Sequence, residues 1–514
     1  MINIKKVISL LIALVLLVSF VFTGCGNTNA GSAESTQKAD TVNVSTVQPT
    51  TQEELKPVTL KYVLPVTGSL KQADEVFAEA NKITESKIKT TVTYEQINFG
   101  DYDNKTKLMI ASNEEFDICF TSNWCNNYYQ NVARGALVDL TDLLDKYASG
   151  TKASMSDGVW AATKIKGRIY GIPNQQIFGR KFGTFYRKDL VEKYKFDYLS
   201  VKTLQDIEPF LKIVKENEKD VVPIENLNGG IYQTIQNYFG FDWIVGANIP
   251  GAVRNFDGSM KVFNQFESTE FRDFLKLMRD WYKKGYIQKD ASNGQSLRAQ
   301  AKYAVVSDAV SKPGGVEEFS SSQTGGVEYV ADTNMDGDRP LQTSAIVAAL
   351  SGISKTSKNP ERALMLLEIM NTDKQYFNLI AFGIENKHYT KSSDNEIVQK
   401  LDGNYDGVLT FFLGNVFNGF YTSGQKPGIW DETAKLNAES KPSVIIGFAF
   451  DSEPVASQIA QCTAVTTEML NGIASGYLDP DKYLPEFLEK LKKAGADDIV
   501  TEAQKQIDEW AKTK

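Results

Sequence analysis

The order of apolar runs between residues 58 and 120 constrains the fold more than any other feature. In "VTLKYVLP" (58–65) apolar and polar residues alternate, as in a strand with one face buried. Within 70–84, Leu70, Ala73, Val76, Phe77, Ala80 and Ile83 recur at helical spacing and share one face. The β-branched, alternating "IKTTVTYEQI" (88–97) predicts a second strand, and "DYDNKTKLMIAS" predicts a short helix. The wholly apolar "FDICF" (116–120) predicts a third strand, of the kind buried on both faces of a parallel sheet. A β-α-β-α-β order commits the chain to a layered α/β domain with right-handed crossovers. At 514 residues there is room for two or more such domains.

Ahead of this body the chain has a different character. Lys5 and Lys6 precede an uncharged apolar run at 7–22, the pattern of a secretory leader. At 16 residues the run is shorter than the roughly 20 that span a bilayer core. Phe22-Thr23-Gly24-Cys25 resembles the bacterial lipobox, in which small residues precede a cysteine that is acylated and becomes the mature N-terminus. The departure is Phe22, where that motif usually carries an aliphatic residue. The resemblance implies a lipid on Cys25, placing the protein on the extracellular face of a cell membrane. The following stretch, to residue 56, is rich in Ser, Thr, Asn, Gln and Ala and buries too little to order itself. It reads as a tether of about 30 residues with a root-mean-square span on the order of 30 Å.

Composition removes several function classes. With 56 basic against 64 acidic residues the formal net charge is −8, which argues against a nucleic-acid partner. His388 is the single histidine, which rules out most His-based metal sites and makes any His-dependent nucleophile triad depend on one position, whose neighbours "GIENKHYT" offer no nucleophile motif. No cofactor is expected. Cys119, Cys125 and Cys462 are expected to be free and buried, although Cys119 and Cys125 in "CFTSNWC" also have the spacing and exported context of a disulfide. In residues 332–343, Asp332, Asn334, Asp336 and Gly337 occupy the first, third, fifth and sixth places of a calcium loop, but the twelfth is Thr343 rather than Glu. An acidic turn without a metal is the expectation there.

From residue 116 onward a set of segments occurs in a telling order. The "FDI" strand, "GALVDLTDLL", "YGIP", "YRKDL" and the amphipathic "FRDFLKLMRDWYKKGYIQKDA" together resemble the extracellular solute-binding proteins of ATP-driven importers, the sugar-binding branch in particular. The late segments "FGIENKHYT" and "IGFAFDSEPV" are similar to a lipoprotein subgroup of that family from Gram-positive bacteria. The resemblance runs from about residue 57 to the end. It implies a two-lobed α/β clamp, periplasmic-binding-protein-like, with hinge crossings near 182–186, 342–348 and 405–412. The expected organisation is a leader at 1–24, a tether at 25–56, a first lobe from 57–182 and about 342–404, and a second lobe from about 183–341 and 405–514. A monomer is expected, with membrane permease subunits of an ABC importer as its partners.

A sugar shows hydroxyls on its rim and C–H patches on its faces, so a pocket for it needs aromatic plates beside amides and carboxylates. In open α/β sheets ligands bind beyond the carboxyl ends of the strands. This draws attention to the loop after the third strand, where Asn123 and Trp124 stand together. Trp124 has two readings that stay open, a plate facing the ligand or a loop residue folded into the core. "PNQQIFGRKF" offers Gln175 and Arg180, "YFGFDWIVGANIP" offers Asp242 and Trp243, and "FFLGNVFNGFYTSGQKPGIWDE" offers Asn415 and Trp430. Arg180, next to Lys181, reads equally well as a solvated charge. The expected function is capture of an extracellular oligosaccharide or polyol for an ABC transporter, without catalysis. A secreted glycoside hydrolase, which needs two carboxylates about 5 to 10 Å apart, and a sensing partner of a membrane kinase stay open as alternatives.

Overall fold

The computed structural model describes residues 55–68, 70–179, 182–226, 239–255, 257–289, 294–310, 312–332, 339–392, 397–401, 405–422 and 424–513. Cys25 with its leader and the tether up to residue 54, Arg180, and residues 333–338 of the acidic turn lie outside that set.

The first lobe forms as the apolar pattern dictates. Strand β1 (Val58–Val66) runs parallel to β2 (Thr90–Asn98) in a nine-residue register from Val58 opposite Thr90 to Val66 opposite Asn98. Helix α1 (Ala73–Ile88) crosses between them, with Asp74 and Glu75 in its first turn and Lys87 in its last, which complements the helix dipole. Helix α2 (Phe99–Ala111) starts directly after β2, capped by the Asn98 side chain accepting from the Gly100 N–H. Strand β3 (Ile118–Thr121) is buried at every position and pairs parallel to β1. The sheet has the order β2-β1-β3, then the strand Leu350–Ile353, then Gly171–Pro173, the last two contacts being antiparallel.

The second lobe has its own four-stranded sheet, in the order Tyr329–Asp332, Phe182–Arg187, Tyr303–Val310, Val222–Ile224. The amphipathic segment expected from the sequence is the helix Thr269–Lys284, capped by Ser268 and ended by Gly285 at φ 75°, a left-handed conformation that glycine takes without a Cβ clash. Three helices, Ala456–Ala474, Pro480–Lys493 and Ala496–Ala511, close the chain and pack on this lobe.

The two largest cores underlie the two lobes. One gathers Leu60 to Ile172 with Val347 to Leu413, and the other gathers Tyr186 to Ile287, Ala304, Val305 and residues from Val455 onward. Tyr405, Val408, Phe412 and Leu413 belong to the first core, so the segment read from the sequence as a third crossing is packed within that lobe. The reason is its aromatic content: Phe412 lies edge-on to Phe120 at 4.9 Å and near Phe99 at 5.2 Å, a burial that ties it to β3. The helix Thr343–Ile346 leads the chain back to the first sheet. Cys119, Cys125 and Cys462 are free and buried.

Candidate functional site

The loop after β3 is rigid before it is functional. The Ser122 hydroxyl accepts from the Cys125 N–H at 2.8 Å and the Trp124 N–H at 3.2 Å. Asn126 sits at φ 45°, a region asparagine tolerates better than most residues. Its amide donates to the Phe120 carbonyl at 2.8 Å, and its backbone N–H donates to Asp103 at 2.7 Å. Asn127 then caps the short helix α3 (Tyr128–Ala133) by accepting from the Gln130 N–H.

This framework holds Trp124 with one edge fixed and one face open. The indole N–H donates to the Ala348 carbonyl at 2.9 Å, and Phe99 and Phe120 stand edge-on to the ring at 5.7 and 6.1 Å. The residue is nonetheless 54% exposed, one of few large apolar side chains left so open. Of its two sequence readings, the plate facing outward describes the geometry. Beside it, the Asn123 side chain donates to the Ser344 carbonyl at 2.9 Å and its backbone N–H donates to the Val347 carbonyl at 3.0 Å. The loop is therefore bonded to the returning segment at three points.

Across from this loop lies the short strand Phe241–Trp243, antiparallel to Ala252–Arg254. The loop joining them is held from within by Gln265, only 1% exposed. Its amide oxygen accepts from the Gly251 N–H at 3.0 Å, and its amide nitrogen donates to the Ile249 carbonyl at 2.7 Å.

These elements enclose a cavity of about 700 Å³, within the size range of small-molecule sites. Asn123, Trp124, Asn127, Tyr129 and Gln130 line one side, and Asp242, Trp243 and residues 244–247 line another. The returning segment contributes Gln342 to Ala345 and Ala348, and the C-terminal region contributes Ile445, Phe448, Phe450, Ser452 and Ile459. Asp242 is 2% exposed, and burial pushes its carboxyl up to about 7 against the bonds it receives from Ser443, Gln342 and the Trp243 N–H. Its Oδ2 has no hydrogen-bond partner, and neither has the buried Trp243 indole N–H. Burial also raises the Tyr129 hydroxyl above its ordinary value, with the charge of Asp242 adding to the effect.

The structure thus brings Asn123, Trp124, Asp242 and Trp243 to one cavity and places three other candidates elsewhere. Gln175 is 3% exposed, donates to Ser154 at 2.9 Å, and pairs through its backbone with Gly414 and Val416. Asn415 caps a turn at Phe417 and donates to the Asn371 carbonyl. Both amides are consumed by joining two stretches of the first lobe. Trp430 donates to the Gly419 carbonyl at 2.8 Å and stacks on Tyr421 at 6.0 Å, away from the cavity wall. Tyr129, Gln130, the returning segment and Ile445, Phe448 and Phe450 line the cavity although the sequence reading named none of them as ligand-binding. The available signal was "VIIGFAF" at 444–450, an apolar run that forms neither strand nor helix. Among the described residues no cluster of three or more His, Cys, Asp or Glu is placed to hold a metal ion.

Comparison with known proteins gives the same outline. A family model described as bacterial extracellular solute-binding protein matches residues 76–383, and a domain of unknown function matches 444–512. The chain is 28% identical over 503 residues to a carbohydrate ABC transporter substrate-binding protein of Streptococcus pneumoniae, covering 95% of each chain. It is 21% identical over 412 residues to a polygalacturonan/rhamnogalacturonan-binding protein of Bacillus subtilis, covering 76% of each. Among solved structures, the N-glycan transport solute binding protein of Streptococcus pneumoniae has a TM-score of 0.77 at 27% identity, over 89% of this chain and 99% of that one. The complexes of that protein with Man1GlcNAc and Man5GlcNAc have TM-scores of 0.69 and 0.66.

Proposed function

Because the chain belongs to the bacterial extracellular solute-binding proteins, we propose that its cleft captures an oligosaccharide and presents it to the permease subunits of an ABC importer. The observation that carries this reading is the cavity wall, where the open face of Trp124 and the indole of Trp243 stand among amides, hydroxyls and one carboxyl. Aromatic faces cover the C–H patches of a sugar ring, and the polar groups meet its hydroxyls. The relatives named for carbohydrate and N-glycan binding support the same class of ligand.

The protein acts without catalysis in this reading. Asp242 is the single carboxyl among the described lining residues, whereas glycoside hydrolysis uses a pair. The two lobes, with the chain passing between them near Phe182 and again along Gln342 to Ala348, close on the ligand as a hinge. Similarity to the N-glycan transport protein falls from 0.77 to 0.66 when that protein is compared in complex with Man5GlcNAc. For one and the same protein, such a fall reflects conformation and supports a clamp that moves.

Cys25 carries the lipid that keeps the body at the membrane. Cys25→Ala releases the protein into the medium or leaves an uncleaved precursor, and unchanged membrane retention and mobility would argue for a plain transmembrane leader. Ligand capture is tested by a thermal-shift screen over mono- and oligosaccharides, sugar alcohols and short peptides. A ligand at 100 times its dissociation constant adds about 2.7 kcal/mol of stability, so a flat response across all sugars would overturn the reading.

A further inference from the structure

The wall of the cleft is also selective by charge. Among the described residues that line it, Asp242 alone bears a formal charge, and none is Lys or Arg. Asp242 is 2% exposed and its Oδ2 has no partner, so the site already holds one acceptor that lacks a donor. The Trp243 indole N–H, equally unpartnered, is a donor that lacks an acceptor. A hydroxyl, being donor and acceptor at once, answers both kinds of vacancy. A carboxylate is an acceptor only. Placed against this wall it would find no cation among the described lining residues, and burying an unpaired carboxylate is strongly unfavourable.

We infer, resting on the carbohydrate reading above, that the cleft takes uncharged oligosaccharides and rejects glycans built of uronic acids. This separates the chain from one of its own relatives, since polygalacturonan is a polymer of uronic acid. A uronate-binding site needs Arg or Lys at the carboxylates, most effectively as the planar guanidinium fork. Of the wall's amides, Asn123, Asn127 and Gln342 already donate to the carbonyls of Ser344, Asn123 and Phe241, and their remaining capacity, with the exposed Gln130, suits hydroxyl and acetamide groups. Between 55 and 513 the only basic residues outside the described set are Arg180 and Lys181, so the uronate arm of the experiment reads their contribution as well.

The test is titration calorimetry of the intact chain with uncharged manno-, gluco- and galacto-oligosaccharides and with oligogalacturonates and oligomannuronates of matching length. Binding by at least one uncharged series, with uronates weaker on the order of a hundredfold or more, supports the inference. Affinity for that series should also be insensitive to added salt, since no ion pair forms. Uronates binding as tightly as uncharged sugars would overturn the inference while leaving the carbohydrate reading intact. If neither class binds, the carbohydrate reading falls and the inference with it. Gln130→Lys supplies a cation on an exposed helical position of the wall. It should raise affinity for oligogalacturonate relative to affinity for uncharged sugars by about tenfold or more. No gain for oligogalacturonate would show that charge is not what discriminates.

Discussion

The indole N–H of Trp124 donates to the carbonyl of Ala348 at 2.9 Å, a bond between the loop after the third strand and the segment that returns from the second lobe. It fixes the ring while leaving the residue 54% exposed. Trp124→Ala should therefore weaken sugar binding by about ten- to a hundredfold, the worth of about 1.5 to 3 kcal/mol of aromatic burial on the ligand. The melting temperature of the ligand-free protein should move little. A fall in stability on the order of 3 to 5 kcal/mol, the cost of emptying a core site, would instead identify Trp124 as a packing residue.

Trp430 should behave in the opposite way. Its N–H is held by the Gly419 carbonyl and its ring by Tyr421, both outside the cavity wall. Trp430→Ala is expected to lower the melting temperature and to leave the affinity for sugars within about twofold. Calorimetry at a temperature where the variant is folded checks this, and a large loss of affinity would return Trp430 to the binding site.

Asp242 gives the cleft a pH dependence of definite sign. In the ligand-free protein burial pushes its carboxyl up to about 7 from an ordinary value of 3.8. A carboxyl raised by folding binds an additional proton in the folded state, so stability falls as pH climbs from about 4 to about 7 and stays reduced above that. Asp242→Asn should therefore stabilise the ligand-free protein above pH 7, by up to about 4 kcal/mol, and have no such effect below pH 4. Sugar affinity should run the other way. The ionised form makes the stronger hydrogen bond to a hydroxyl, so affinity falls as pH drops through about 7, and Asp242→Asn removes that dependence along with much of the affinity. Denaturant melts and calorimetry between pH 4 and 8 test both arms.

His388 is the single histidine, and it is buried as a neutral ring. Nδ1 accepts from the Ile384 N–H at 2.9 Å, and Nε2 lies 2.9 Å from the Gln72 amide oxygen, which requires that Nε2 carry the proton. Burial, with Lys387 adjacent, lowers its pKa despite Glu75 nearby. A histidine lowered by folding binds fewer protons folded than unfolded, so stability falls as pH drops below about 6.5. The ring signal in proton NMR should titrate below that value. The melting temperature of His388→Gln should be less sensitive to acid than that of the natural protein, and equal sensitivity would exclude His388 as the source.

The first lobe was legible because its signals are local. Alternation in 58–65 and 88–97, helical spacing from Leu70 to Ile83 and the apolar "FDICF" each declare an element without reference to the rest of the chain. The rule that ligands sit beyond strand ends then pointed to Trp124, and the glycines around Asp242 and Trp243 marked a second loop. What stayed hidden depends on distant pairings. Gln175 and Asn415 have the composition of ligand-binding amides, but their partners lie at Ser154, Gly414 and Asn371, and only the folded chain brings these together. The same holds for Ser344 to Ala348, whose small apolar residues give no hint that their carbonyls anchor Asn123 and Trp124. The resemblance implied a crossing at 405–412, whereas the aromatic rings of that segment are drawn into the core against Phe99 and Phe120.

The sealed thiols of the folded body make it a convenient object for fluorescence. Burial pushes Cys119 up to about 12 and Cys125 and Cys462 up to about 11, so at neutral pH none offers an accessible thiolate to a maleimide dye. Leu108 on the first lobe and Leu199 on the second are 70% and 57% exposed. With Cys25 replaced by Ser, Leu108→Cys and Leu199→Cys would accept a donor and an acceptor dye against a silent background. Energy transfer between them would then report each opening and closing of single molecules, without any native cysteine having to be removed from the body itself.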